Sequence, residues 1–275
     1  FIEVIFMSEN FFDVIVVGAG ILGASTAFYL KKQGISNVLL LERNKIASGG
    51  TGKSAAIVRS YYSVPVMARL AKEAVNLFHN LEEEIGTNGG FNNTGYTVLV
   101  SPEWLDKAKE VISMNNKLGI NSEFIPEREW ENTLPWLNPE GVGAVVYEKD
   151  SGYADPVQTT EGFVKAFKNL GGVFKERTAV RELIRKGDSI DGVILESGKI
   201  FSEALVNAAG PWSKFLAEGV ELELPIVSVR EQDSIWQFRT KKGMPNSPVA
   251  NQIEATYMRP MGDGRWLLGR GYPKD

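Results

Sequence analysis

The sequence predicts an α/β fold that begins with a strand, a helix and a second strand. Residues 12–17 form a run that is apolar except for Asp13, Val38–Leu41 form another apolar run, and both are typical of strands buried on two faces. Between them a glycine-rich turn opens a helix over residues 21–33. Two such strands joined by one helix pair in parallel, so the chain should start with a βαβ unit.

The turn after the first strand carries the pattern G-x-G-x-x-G in Gly18, Gly20 and Gly23. Gly18 permits the tight turn, Gly20 lets the backbone approach a pyrophosphate, and Gly23 lets the helix pack closely on the strand. The start of the helix then offers amide donors to phosphates. Glu42 ends the second strand, where a carboxylate can accept hydrogen bonds from ribose hydroxyls and disfavours NADP. These features predict a Rossmann-like dinucleotide site; the alternative is a glycine-rich turn without a ligand.

A second glycine-rich segment, residues 47–54, fits a loose Walker A pattern that ends in Lys53 and Ser54. A true P-loop leaves a strand directly and enters a helix. Here the strand ends near Glu42, several residues too early, and the sequence AAIVRSYYSVP that follows does not predict a helix. The segment therefore disfavours a nucleoside triphosphatase.

The rest of the chain alternates helical and strand-like patterns. A long amphipathic helix is predicted over 65–85, because apolar residues recur there every three or four positions. Its apolar face would hold Met67, Leu70, Ala74, Leu77, Phe78, Leu81 and Ile85. Further helices are predicted over 102–118 and from Pro156 to Gly171, and strands over Tyr96–Val100, Val173–Lys175, 179–184, 190–195 and 200–207. The chain from Leu224 onward also alternates like strands.

Composition excludes several classes of function. The net charge is −4 and there is no basic run, so a nucleic-acid partner is not expected. Cysteine is absent and His79 is the only histidine, which argues against a catalytic triad and against a metal site. The uncharged stretch 14–30 is short and glycine-rich, so no membrane span is expected. The first residues lack a basic signal-peptide region, which favours the cytoplasm.

Further motifs follow the dinucleotide turn in a fixed order. They are Leu41-Glu42-Arg43 with the segment 47–56, Gly152-Tyr153-Ala154-Asp155-Pro156, Thr178-Ala179-Val180, Asn207-Ala208-Ala209-Gly210-Pro211-Trp212-Ser213, Pro225-Ile226 with Arg230, and Tyr257-Met258-Arg259-Pro260 with 264–269. Together they resemble the D-amino-acid oxidase, glycine oxidase and sarcosine oxidase (DAO) family of FAD-dependent oxidoreductases. Sarcosine oxidase β subunits and related amino-acid dehydrogenases are the most similar members.

The resemblance implies an α/β fold in which a Rossmann-like FAD-binding domain, 12–85 and 150–217, is interleaved with a mixed-sheet α+β substrate domain, 86–149 and 218–275. FAD would be held non-covalently, since no cysteine is available for the flavin link of monomeric sarcosine oxidases. Family chains continue further, with a G-L-R-P-like segment and a glycine-rich stretch over the flavin. We therefore expect a C-terminally truncated chain whose flavin site is incomplete.

The resemblance also assigns the residues that would bind FAD. They are Gly18, Gly20, Ile21, Leu22, Gly23, Glu42, Arg43, Ser48, Gly49, Thr51, Gly52, Lys53, Ser54, Ala55, Val180, Ala208, Ala209, Gly210 and Trp212. For Trp212, packing beneath its turn is an equal alternative. On the substrate side, Arg59 and Tyr62 follow the second flavin loop, and Tyr257 matches a substrate-pocket tyrosine. The alternatives for Arg59 and Tyr257 are a surface salt bridge and an ordinary strand aromatic.

The implied reaction is oxidation of an amino acid or secondary amine, such as sarcosine, glycine or proline, by hydride transfer from Cα to flavin N5. The electron acceptor would be O2 or a redox partner. Leu267 stands where one branch of the family carries an oxygen-activating lysine, which favours a dehydrogenase. The resemblance also implies a partner subunit. Alternatives are an FAD-dependent 2-hydroxy-acid or glycerol-3-phosphate dehydrogenase, and a non-catalytic FAD-binding subunit or incomplete fragment.

Overall fold

A computed structural model of the chain describes residues 10–239 and 244–271. The helices are α1 (Ile21–Lys32), α2 (Pro65–His79), α3 (Leu81–Ile85), α4 (Leu105–Lys117), α5 (Trp130–Thr133), α6 (Pro156–Asn169) and α7 (Ser213–Glu218). The strands are β1 (Phe11–Val17), β2 (Val38–Leu41), β3 (Ile57–Val58), β4 (Tyr96–Val100), β5 (Ser122–Phe124), β6 (Ala144–Glu148), β7 (Gly152–Tyr153), β8 (Val173–Lys175), β9 (Val180–Lys186), β10 (Ser189–Leu195), β11 (Gly198–Asn207), β12 (Asp233–Gln237), β13 (Val249–Asn251), β14 (Thr256–Pro260) and β15 (Arg265–Arg270).

The chain divides into two compact units. One comprises Phe1–Ser54, Glu82–Gly89 and Pro156–Ser228, and the other comprises Ala55–Leu81, Gly90–Asp155 and Val229–Asp275. The sequence-based boundaries differ from this division, because they assign all of 55–81 to the first domain. Residues of that segment instead pair and pack within the second unit. Strand β3 pairs with β7, and Val75 of α2 packs against Val58 and Ala154.

The first unit is built on a six-stranded sheet in the order β8-β2-β1-β11-β10-β9. The first four of these strands run parallel, and β9 to β11 form an antiparallel meander. Ile15, Leu39 and Leu41 are almost fully buried, as expected for strands covered on both faces. The crossover through α1 packs against α6, where the rings of Phe28 and Phe163 meet edge to face at 5.7 Å.

The second unit holds a seven-stranded mixed sheet in the order β12-β15-β14-β13-β4-β6-β5, and the two-stranded ribbon of β3 and β7. Neighbouring strands of the larger sheet are antiparallel except for β13 and β4. Val98, Val100 and Val146 are buried in its core with Val111 of α4. This mixed sheet agrees with the mixed-sheet α+β substrate domain that the family resemblance implies.

One predicted helix is wrong. The pattern over 65–85 predicts a single helix, but the structure ends α2 at His79 and starts α3 at Leu81. Asn80 leaves helical geometry and donates its side-chain amide to the backbone oxygen of Asn76 at 2.8 Å. Such local bonding by asparagine competes with the helical ladder, and here the chain passes from one unit to the other.

The apolar face of α2 is also displaced from the predicted one. Ala68 and Val75 are its buried residues, whereas Met67 and Leu70 are exposed. By contrast, the uncharged stretch 14–30 forms the end of β1, the turn and α1, as predicted. Within the two described ranges, every helix is too short or too polar to cross a bilayer.

Candidate functional site

A pocket of about 560 Å³ lies within the first unit, at the carboxyl ends of β1, β2 and β11. Backbone hydrogen bonds hold these three strand ends together. The amide of Gly18 donates to Leu41 O at 2.8 Å, and the amide of Ala208 donates to Val17 O at 2.9 Å. Since ligands of open α/β sheets bind where the chain switches direction across the sheet, this edge is the expected place for a dinucleotide.

The G-x-G-x-x-G turn forms one wall of the pocket with no room for larger side chains. Gly18 adopts φ +107°, and a Cβ there would lie 2.5 Å from Ala208 O. A Cβ on Gly23 would overlap the carbonyl oxygen of Gly18, so glycine lets α1 pack on the turn. Gly20 opens toward the pocket, and a Cβ there would stand 2.9 Å from Thr51 Oγ1. The three glycines thus leave a backbone-lined cradle.

The start of α1 presents backbone donors to this cradle. Its N-cap residue is Gly20, which has no side chain of its own to cap the helix. The amide of Ile21 donates to Thr51 Oγ1 at 3.1 Å, which ties the cradle to the segment after β2. Lys53 also lines the pocket. A helix start whose N-cap is glycine, in a pocket that a lysine lines, is suited to an anion such as pyrophosphate.

The carboxylate of Glu42 is held by two backbone amides. Its Oε2 accepts from the Ala19 amide at 2.9 Å, and its Oε1 accepts from the Asn44 amide at 2.8 Å. Each carboxylate oxygen has a second lone pair, so the group retains acceptor capacity. Glu42 lines the pocket, where it can accept hydrogen bonds from ribose hydroxyls.

The Trp212 ring packs between two other pocket residues. The guanidinium of Arg43 lies 4.1 Å from its ring centre, and a Cβ on Gly49 would stand 3.3 Å from the ring. Trp212 is 38% exposed and lines the pocket. Trp212 therefore packs against the segment after β2 and also borders the cavity, and its contact with a flavin stays a prediction.

Most of the predicted FAD-binding residues border this one pocket. They are Gly18, Gly20, Ile21, Leu22, Glu42, Arg43, Ser48, Gly49, Thr51, Lys53, Val180, Ala208, Ala209, Gly210 and Trp212. Gly23, Gly52, Ser54 and Ala55 do not border it. Gly23 lies beneath the turn, and the Gly52 amide donates to Ala47 O at 2.8 Å within the loop. Ala55 belongs to the second unit.

Several pocket residues were not predicted from the sequence. Asn44, Arg181, Phe215 and Leu216 line the cavity. Asn44 and Arg181 directly follow predicted residues, so a search of motif neighbours would have found them. Phe215 is 61% exposed on α7, and the only signal for it in the sequence was an aromatic residue just after the N-A-A-G-P-W-S motif.

The Walker A pattern does not form a P-loop. Thr51–Lys53 form a single 3₁₀ turn, and the chain then continues into the extended residues of β3. Leu41 ends the preceding strand, well before the glycines. The structure therefore has neither the direct strand exit nor the following helix that phosphate binding by a P-loop requires.

Two of the three predicted substrate residues lie beside each other in the second unit, just after β3. The Arg59 guanidinium stands 4.1 Å from the ring centre of Tyr62 and 5.6 Å from that of Tyr96, and donates to the backbone oxygen of Tyr61. Burial raises the pKa of Tyr96 to about 12, although Arg59 lowers it, so this phenol is neutral near pH 7. Guanidinium stacked on aromatics, with further N–H groups to offer, can bind a carboxylate.

Tyr257, the third predicted substrate residue, lies on β14 in the same unit. Its hydroxyl donates to Asp233 Oδ1 of β12 at 2.6 Å. Burial raises the pKa of Tyr257, and the hydrogen bond to Asp233 raises it further. His79 has a structural role, since its ring nitrogen lies 2.8 Å from Asp150 O and its ring packs edge-on against Phe91.

Comparison with known proteins decides the family. The family model described as "FAD dependent oxidoreductase" (DAO) matches residues 13–275. The chain belongs to this family. The resemblance inferred from the ordered motifs is thereby confirmed, together with the α/β fold class and FAD as the cofactor of the family.

Members of the DAO family with related sequences include amine-oxidising enzymes. The 4-methylaminobutanoate oxidase (formaldehyde-forming) of Paenarthrobacter nicotinovorans is 26% identical over 260 residues, which cover 94% of this chain and 31% of the relative. Sarcosine oxidase subunit beta of Rhodobacter capsulatus is 29% identical over 267 residues, which cover 94% of this chain and 64% of the relative. The chain thus spans about a third of the first relative's length and less than two thirds of the second.

A solved structure gives the same result for the fold. The L-proline dehydrogenase from P. horikoshii superposes with a TM-score of 0.85 at 26% identity, and the match covers 96% of this chain and 70% of that one.

The residues around the pocket fit FAD. Gly18 and Gly20 leave a cradle that any Cβ would narrow, α1 starts at this cradle with a glycine N-cap, and Lys53 lines the same pocket. The Glu42 carboxylate lines the cavity as a hydrogen-bond acceptor of the kind that a ribose requires, and Val180 lines it as an apolar residue. Phosphate, ribose and base are thus each matched by a group of suitable chemistry in one cavity.

Proposed function

We propose that this chain uses FAD to oxidise an amino acid or a secondary amine. The observation that carries the proposal is the dinucleotide cavity of the first unit, in a chain that matches the FAD-dependent oxidoreductase family over 13–275. The names of its relatives, which act on methylaminobutanoate and sarcosine, support an amine as the donor.

The roles of the cavity residues follow from their chemistry. The amides at the start of α1, opened by Gly18 and Gly20, would bind the pyrophosphate, and Lys53 would add a positive charge. Glu42, oriented by its two amide partners, would accept from the ribose hydroxyls. Val180 would pack against the adenine. The chain has no cysteine for a cysteinyl flavin link, and we propose these contacts as non-covalent ones.

The second unit would bind the substrate. FAD supplies the two-electron oxidation, so the protein has to bind, orient and desolvate the amine. Arg59 would bind a carboxylate, because its guanidinium is held in place by the Tyr62 ring and by its bond to Tyr61 O and carries further N–H donors. The half-buried ring of Tyr62, stacked on Arg59, would border the apolar part of the substrate.

The electron acceptor and the partners belong to the same proposal. Leu267 is a buried residue of β15 and has no group that can activate oxygen, which supports a dehydrogenase with a redox partner. The name of the relative "sarcosine oxidase subunit beta" supports a partner subunit. The cytoplasmic location stays a prediction from the sequence.

The test is anaerobic reduction of the FAD-loaded protein. Sarcosine, glycine, proline and D-alanine are added singly, and lactate and glycerol 3-phosphate serve as the matched amine-free donors. Bleaching of the flavin bands by one or more amines, and by neither amine-free donor, is the expected result. Bleaching by lactate or glycerol 3-phosphate alone would replace the proposal with a hydroxyl-oxidising enzyme. A flavin that no donor reduces would make the chain an FAD-binding subunit or incomplete fragment.

A second step identifies the acceptor. The amine-reduced protein is mixed with air-saturated buffer or with an artificial electron acceptor. We expect slow reoxidation by O2 and fast reoxidation by the artificial acceptor, because Leu267 offers no cation to a developing superoxide. Fast reoxidation by O2 would identify an oxidase instead.

A further inference from the structure

The side chains of Arg43 and Trp212 meet across the carboxyl end of β1. Arg43 follows β2 and Trp212 follows β11, and these two strands pair with opposite edges of β1. The two outer strands therefore lie about 10 Å apart, which is two strand spacings. The Arg43 guanidinium nevertheless stands 4.1 Å from the centre of the indole ring. The contact thus joins the loops on both sides of the strand whose end carries the G-x-G-x-x-G turn.

The Arg43–Trp212 pair lies at the mouth of the dinucleotide cavity. Both side chains line the cavity, and both are still exposed to solvent. A side chain that meets the cavity on one side and the solvent on the other borders the opening through which a ligand enters. Because the cradle at Gly18 and Gly20 follows the end of β1, a dinucleotide that reaches it passes between the two loops that the pair joins.

The pair can open and close while the backbone stays in place. The backbone beside the ring is fixed, because the Trp212 amide donates to Ala209 O at 3.1 Å and the Asn207 side chain donates to Ser213 O at 2.8 Å. The ring itself packs on Arg43 and against the loop at residue 49. A cation–π contact at an exposed site is weak, so the ring can leave the guanidinium and return to it.

Resting on the FAD site proposed above, we propose that Arg43 and Trp212 act together as a gate on the dinucleotide cavity. The cofactor enters and leaves while the stacked pair is open, and the pair closes again over the bound dinucleotide. Such a gate slows entry and release by the same factor, because both steps pass through the open form. Since the same stack forms in the free and the loaded protein, the affinity for FAD is unchanged. A direct contact with the cofactor would instead slow release alone and raise the affinity.

The kinetic test measures the rate constants of FAD binding and FAD release by stopped flow, from the change in flavin fluorescence and without any substrate. The variants are Arg43→Leu and Trp212→Leu, and the control is Trp104→Leu, at a tryptophan 57% exposed in the second unit. Each variant of the pair should raise both rate constants roughly two- to fivefold, the effect of one exposed cation–π contact, and keep the dissociation constant. The control should keep both rate constants. Faster release with unchanged entry, or no change in either rate constant, would overturn the inference.

A double variant tests whether the two side chains form one gate. Removal of either side chain already opens the pair, so the Arg43→Leu, Trp212→Leu double variant should bind and release FAD no faster than the single variants. Arg43→Lys keeps a cation over the ring and should return both rate constants close to those of the wild type. Additive effects in the double variant, or a lysine variant that behaves like Arg43→Leu, would contradict the gate.

The outcome for the gate is separate from that for the proposed function. Only FAD is added in these measurements, so a flavin that no amine reduces would overturn the proposed oxidation and leave the gate standing. A wild-type protein that takes up no FAD would overturn the cofactor site and the gate together.

Discussion

At the scale of single residues, the candidate site depends on backbone groups more than on side chains. Glu42 is oriented by the amides of Ala19 and Asn44, one on each carboxylate oxygen, before any ribose is present. Thr51 is oriented by the amide of Ile21 at the start of α1. Groups held in this way lose little conformational freedom on binding, which favours affinity.

Substitution of Gly20 should separate cofactor binding from folding. The methyl of Gly20→Ala would meet only the flexible side chain of Thr51, so the fold should tolerate it, but it narrows the pyrophosphate cradle. We expect the FAD dissociation constant to rise at least about tenfold, or about 1.4 kcal/mol, in a fluorescence titration. The control is Gly271→Ala, whose Cβ would find an ordinary contact at 3.8 Å. Equal FAD affinity in the two variants would show that the cradle is not the pyrophosphate site.

Glu148 is a buried charge in the second unit that the sequence did not reveal. It is 1% exposed, and its oxygens accept from the Ser60 amide at 3.0 Å, the Ser151 hydroxyl at 2.9 Å and the Ser122 hydroxyl at 3.1 Å. Burial raises its pKa, while these hydrogen bonds lower it, and burial is the larger effect. The carboxyl therefore anchors the chain next to Arg59.

The raised pKa of Glu148 predicts how stability depends on pH. A carboxyl whose pKa is higher in the folded state stabilises the fold fully below its unfolded pKa of about 4.3, and this contribution is lost as pH rises through the folded pKa. Denaturant unfolding of the wild type and of Glu148→Gln should therefore show the wild type losing free energy relative to the variant as pH rises. A difference that stays constant or grows with pH would contradict the assigned shift.

At the scale of elements, the first unit depends on the packing of α6. Phe167 is fully buried on this helix, and its ring fills the space that a Cβ on Gly172 would occupy. Gly162 has no room for a Cβ beside Thr87 and Ile85. A helix packed this closely transmits any change in its core to the sheet edge that carries the pocket.

Truncation of Phe167 should destabilise the first unit strongly. Phe167→Ala leaves a cavity in a core that cannot collapse, so the free energy of unfolding should fall by about 3–5 kcal/mol in urea titration. Leu170→Ala, at a residue 45% exposed just beyond the same helix, is the control and should stay within about 0.5 kcal/mol. If both variants lose the same stability, the proposed role of Phe167 in the core is incorrect.

The elements near the dinucleotide turn were predictable because local signals agree there. Apolar runs predicted β1 and β2, and glycines predicted the turn. The local sequence and the tertiary packing therefore favour the same structure there. The face of α2 was not predictable, because small Ala68 and Val75 are buried while larger Met67 is exposed. Which side of an amphipathic helix is buried depends on its neighbours, here Val58 and Ala154, which are distant in sequence. The short strands β3, β5 and β7 carry too few residues for any periodicity to show.

At the scale of the whole molecule, sites built from loops with their own sequence motifs could be predicted, whereas contacts set by strand register or by packing could not. The cofactor pocket is made of loops at strand ends, and each loop carries its own motif, so residues as distant as Gly18 and Ala208 could be assigned together. The contact of Tyr257 with Asp233 depends on strand register, and the burial of Glu148 depends on packing, so neither leaves a local trace in the sequence.

The two units should respond differently to FAD. The pocket is formed entirely by residues of the first unit, so FAD should stabilise that unit by mass action, by about 2.7 kcal/mol at a concentration 100 times its dissociation constant. Hydrogen exchange with and without FAD measures this stabilisation separately in each unit. Protection in β1, α1 and β11 is expected to rise most. A rise confined to the second unit would place the cofactor elsewhere.

The most direct test of the account is the visible absorption spectrum of the purified chain after incubation with FAD and removal of the excess. We predict the bands of oxidised flavin on the protein, released into solution when the protein is denatured, since all the proposed contacts are non-covalent and the chain has no cysteine for a cysteinyl link. The Gly20→Ala protein should retain less FAD than the wild type. A folded but colourless protein would contradict the assignment of the first-unit cavity as an FAD site.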